Sequence, residues 1–85
     1  MRSTATVSAV NAHNSLVALR SRHGNLYAVF KLLRGAAMPD VGDVIAADLN
    51  EVGEQVCYNL TKSHDMDIEV IAVGVSELDV IRLLK

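Results

Sequence analysis

The chain has no tryptophan, one cysteine, one proline and three aromatic residues in 85 positions. With Cys57 alone, no disulfide can form within the chain. A small domain without that staple must rest on a packed core, and it reads as a protein of a reducing, cytoplasmic compartment. No run approaches the roughly 18 apolar residues that a membrane span needs. The apolar stretch near the start is broken by Asn11, His13 and Asn14, so it does not read as a secretory leader. Carboxylates are missing from the whole of the first 34 positions. Arg2, Arg20, Arg22, Lys31 and Arg34 stand there unopposed, while the remaining positions hold all ten Asp and Glu against Lys62, Arg82 and Lys85. The formal net charge of −2 therefore conceals a basic first part and an acidic second part. Asymmetry of this kind suits a polyanion, an acidic partner or self-complementary assembly.

What the chain does have is apolar side chains, 51% of its residues. A single domain of this length, residues 1–85, buries only a little over about 60% of the surface its unfolded form exposes. The surplus predicts apolar surface that meets a second chain, hence a homo-oligomer.

Period-2 alternation marks strands over 4–11 and 16–22, and His23-Gly24-Asn25 supplies turn residues for a hairpin between the second strand and the third. Residues 26–33 are almost continuously apolar and predict a central strand buried on both faces for most of its length. Residues 34–43 carry two glycines and the only proline, an irregular connection where the sheet changes direction. Strands follow over 44–49 and 55–60 with Gly53 as the turn residue between them, then a polar loop over 61–67 and a β-branched strand over 68–75. On the strand over 55–60, Val56, Tyr58 and Leu60 alternate with Gln55, Cys57 and Asn59. Ser76 with Asp79 three residues on approximates a capping box, and Val75 with Val80 a hydrophobic staple, so a short helix begins there. Leu78, Ile81 and Leu83 or Leu84 are its expected apolar face. The resulting class is all-β, or β-rich α+β: a small closed or partly open antiparallel β-barrel of about six strands with one short C-terminal helix.

No catalytic set emerges. Cys57 has no histidine beside it in sequence and reads as a small buried hydrophobe. His13, His23 and His64 are spread over turns, and His64-Asp65-Met66-Asp67 lacks the spacing of a calcium or zinc site. Asp40, Asp43, Asp48, Glu51 and Glu54 read as turn residues and solubilising gatekeepers. The expectation is a non-enzymatic protein with no catalytic residue, cofactor or metal.

The cadence of Gly24–Leu33 (GNLYAVFKLL), Val41–Ile45 (VGDVI), Asn59-Leu60-Thr61 and Val75–Leu78 (VSEL) resembles a family of short bacterial proteins with a small OB-like β-barrel. The resemblance carries no activity with it. It implies that the second and third strands face a ligand, which would place Arg20, Arg22, Tyr27, Lys31 and Arg34 on or beside a surface for single-stranded nucleic acid. Two functions are therefore expected: a self-associating interaction module, or an OB-type nucleic-acid binder that uses the basic first three strands.

Overall fold

The alternation at Ala5 and Val7, at Val17 and Leu19 and at Met66, Ile68 and Val70 places one side of each strand inward, and six such strands close on themselves. The computed structural model describes residues 3–21 and 26–85. It comprises β1 (Ser3–Asn11), β2 (Leu16–Ser21), β3 (Tyr27–Leu32), β4 (Val44–Ala47), β5 (Gly53–Asn59), β6 (His64–Val75) and α1 (Glu77–Leu83). The ring runs β1-β2-β3-β6-β5-β4 and returns to β1, with every neighbouring pair antiparallel. The barrel with one C-terminal helix is thus the architecture that the alternation and the cap motif predict. The His23-Gly24-Asn25 turn lies outside the described residues.

Phe30, Leu19, Ile45, Met66 and Ile68 are the largest side chains wholly inside the barrel. Ala28, Val29 and Phe30 are consecutive and all buried, as a strand covered on both faces requires. The outer cover on Val29 and Ala18 is α1, which sets Val80 against them with Val75 and Leu84 alongside. Asn11 on β1 ties down the far end of the helix by donating its side-chain amide to the Leu84 carbonyl.

Three expectations need correction. The residues expected as a polar loop over 61–67 are already strand from His64, because Asp65 and Asp67 occupy outward positions between the inward Met66 and Ile68. Gly53 opens β5 with φ +125° rather than making the turn before it. The helix docks through Val80 and Leu84, one turn apart, and leaves Leu78 and Ile81 facing away from the barrel. The staple and cap are as expected: the Ser76 hydroxyl accepts from the Asp79 amide at 3.3 Å and donates to the Asp79 carboxylate at 3.1 Å. Ser76→Ala should therefore lower stability by about 1 kcal/mol. A denaturant titration checks this through a lower midpoint at unchanged slope, and an unchanged midpoint would remove the cap from the account.

Candidate interaction surface

β5 turns its more apolar side outward. Cys57 and Asn59 are buried, Gln55 is half-buried, and Val56 and Leu60, each 47% exposed, lie outside with half-buried Tyr58 between them. The cause is a set of polar anchors that outweighs side-chain hydropathy. Asn59 is wholly buried, its amide donates to the Asp43 carboxylate at 2.9 Å and its oxygen accepts from the Lys62 backbone at 2.9 Å. Gln55 clips β5 to the end of β4, donating to the Asp48 carbonyl at 2.8 Å and accepting from the Asp48 amide at 2.9 Å. A one-residue slip would undo every one of these bonds and expose Cys57. On the neighbouring strand Ala46 stands opposite Tyr58, and Val44 is bonded to Leu60. The outer side of the β4–β5 seam is therefore an apolar strip: Val44, Ala46, Val56, Tyr58 and Leu60.

The same anchors form a latch where the barrel closes. The Asp43 carboxylate, buried at one end of β4, also accepts from the Asp40 amide at 3.1 Å and from the Lys62 ammonium at 2.5 Å, while Lys62 reaches Asp40 at 2.7 Å. Backbone bonds complete it, with Val7 donating to the Asp43 carbonyl and Gly42, at φ +99°, donating to the Val7 carbonyl. The positive φ at Gly42 is open to glycine without the strain a Cβ brings. The Lys62 and Asn59 hydrogen bonds, in that order, hold the Asp43 carboxyl well below its ordinary value, at about 2. Lys62 is raised above its ordinary value, first by Asp40 and then by Asp43. Asp43 thus stabilises the fold above the unfolded carboxyl pKa near 4, and this contribution is lost as pH falls from there through about 2. Lys62 stabilises below its ordinary value and that contribution is lost only as pH rises past it. Melting temperature should therefore fall between pH 4 and pH 2, and Asp43→Asn should flatten that limb; an unchanged limb in the variant would mean that other groups govern the acid transition.

Among the described residues, the basic side chains of the first half, Arg20, Lys31 and Arg34, are spread apart. Arg20 is exposed and stands opposite Tyr27 on the outer side of the β2–β3 pair. Lys31 is exposed on the same side, four residues along β3, roughly 13 Å away at strand rise, with Glu69 of β6 opposite it. Between them α1 covers Ala18 and Val29, and Tyr27 is half-buried against the same cluster. Arg34 is bound to Glu54 at 3.0 Å, and that bond raises its pKa above the ordinary value. Arg22 lies outside the described residues. A cavity of about 460 Å³ opens at the barrel end beside Tyr27, Leu19, Leu49 and Val73, with no charged side chain in its wall among the described residues. Also among the described residues, no three His, Cys, Asp or Glu side chains converge as a cation site would need, and no helix is long and apolar enough to cross a membrane.

No protein-family model, no curated protein and no solved structure matches the chain.

Proposed function

We propose that the protein is a non-enzymatic assembly module that associates with copies of itself. The observation that carries this is the outward apolar strip of β4 and β5, held outside by the buried Asn59 and Gln55 bonds. The polar anchors fix an orientation that exposes Val56 and Leu60, although the strand carries the small Cys57 and the amides inside. A second apolar pair, Leu78 and Ile81, lies outside on α1. Exposed apolar groups that cluster, unlike isolated ones, mark surfaces that meet a partner. Light scattering over a concentration series tests the proposal through the solution mass.

A second reading, binding of single-stranded nucleic acid, draws on Arg20 placed opposite Tyr27, a cation beside a ring that can stack on a base. Anisotropy of a labelled oligonucleotide separates the two: binding at low salt that weakens as salt is added is the signature of phosphate contacts, and no binding at low salt removes the second reading.

A further inference from the structure

The two apolar faces lie on opposite sides of the ring. In the order β1-β2-β3-β6-β5-β4, the β2–β3 seam under α1 is diametrically across from the β5–β4 seam. Their charged surroundings differ in sign. On the helix face, Arg82 is one turn from Leu78 and exposed Lys85 follows the C-cap, and exposed Arg20 and Lys31 stand at the two ends of the strip that α1 covers; Glu77 and Asp79 at the helix start and Glu69 opposite Lys31 are the opposing charges. On the β4–β5 face, Asp65 stands opposite Tyr58 and Asp67 opposite Val56, and Asp40 is exposed beyond Leu60. The cations near that face, Lys62 and Arg34, are already engaged by Asp40, Asp43 and Glu54.

From this arrangement we infer that the protein assembles head to tail, the α1 face of one copy seating on the β4–β5 face of the next. The inference rests on the self-association proposed above and names its two surfaces. The occupant of each apolar face is a second copy of this chain, because Arg20, Lys31, Arg82 and Lys85 outnumber the carboxylates around the helix face, whereas Asp40, Asp43, Glu54, Asp65 and Asp67 outnumber Lys62 and Arg34 around the β4–β5 face. An isologous pairing of β4–β5 with itself would bring Asp65 and Asp67 toward their own copies, whereas the heterologous pairing brings them toward Arg82 and Lys85. Interfaces of this kind close into rings or extend as filaments, according to the rotation between successive copies. The basic first half and acidic second half of the sequence then have a common use, with Arg82 and Lys85 carrying the basic face across onto the helix.

Mixing two variants tests the pairing. Leu78→Lys and Val56→Lys each place an ammonium at the centre of one face, where association would have to desolvate it; both positions are exposed, so the fold should persist, as a circular dichroism melt of each would show. Each variant alone should stay at the 9.2 kDa chain mass, since every copy lacks the same face. An equimolar mixture should give a heterodimer of twice that mass and nothing larger, because it holds one intact copy of each face. If either variant assembles like the wild type, its face is not in the contact and the inference fails. If the wild type assembles, both variants are monomeric and their mixture is also monomeric, the pairing is not head to tail, although self-association stands. A monomeric wild type removes the underlying proposal as well. Should either lysine variant melt early, Leu78→Ser and Val56→Ser replace them in the same mixture.

Discussion

Phe30→Ala should lower the unfolding free energy by about 4 kcal/mol, the upper range for removing a buried aromatic ring. Phe30 is the largest side chain enclosed in the barrel, and its strand is bordered by β2 and β6, so no loop can sink into the space it leaves. The walls around the gap are hydrogen-bonded strands, which relax little, and the cost of a cavity is greatest where collapse is hindered. For a domain of this size, whose total stability is of the order of 5–10 kcal/mol, such a loss removes roughly half of it and leaves the variant folded but marginal. Urea titration followed by circular dichroism measures it. A loss of under about 1.5 kcal/mol would mean that the barrel repacks around the gap, as a loosely ordered core does.

The second large effect is expected at Asn59. Replacing it by Ala removes the donor to Asp43 and the acceptor for the Lys62 amide together. The Lys62 amide is left unsatisfied, at about 1–3 kcal/mol, and the Asp43 carboxylate loses one of its donors while keeping Lys62 and Asp40, so the expected loss is about 2–3 kcal/mol. Asn59→Asp should be worse than Ala, because it sets a second carboxylate against the Asp43 oxygen with no donor between them. Melts of the three proteins at neutral pH check the order wild type, Ala, Asp. If Asp equals or exceeds Ala, the latch does not hold Asn59 as described. Lower pH should narrow the difference between Asp and Ala, because protonation restores a donor to the site.

The strands most legible in the sequence were those whose apolar period agrees with their burial. Val17 and Leu19 on β2, and the unbroken run through Ala28, Val29 and Phe30 on β3, need only the rule that apolar side chains face inward. The cap at Ser76 was equally plain, because its chemistry is local and depends on residues three apart. β5 was not legible in this way. Its orientation is decided by Asn59 and Gln55, whose partners Asp43 and Asp48 lie on or beside another strand, and alternation alone separates Val56, Tyr58 and Leu60 from Gln55, Cys57 and Asn59 without saying which set faces inward. The start of β6 was obscured for the opposite reason, since Asp65 and Asp67 give a genuine strand the composition of a loop. The helix was located correctly, and Val80 of the staple docks together with Leu84, but Leu78 and Ile81 of the expected apolar face stay outside. On both β5 and α1 an apolar surface is left outside, and that surface supplies the candidate interaction surface. Of the five residues that the OB-like resemblance placed at a ligand, Arg20 and Tyr27 stand together, Lys31 is set apart beyond the helix and Arg34 is engaged by Glu54. What the sequence could not reveal was that α1 covers the middle of that strip.

The solution mass of the wild-type protein tests self-association most directly. A dissociation constant in the micromolar range or tighter corresponds to about −8 kcal/mol or more of association free energy. Multi-angle light scattering from about ten to several hundred micromolar therefore covers the range in which assembly should appear. A weight-average mass that rises with concentration above the 9.2 kDa of one chain is the expected result. A mass that stays at one chain across the whole series would contradict the account, and the outward strip of β4 and β5 would then need another partner.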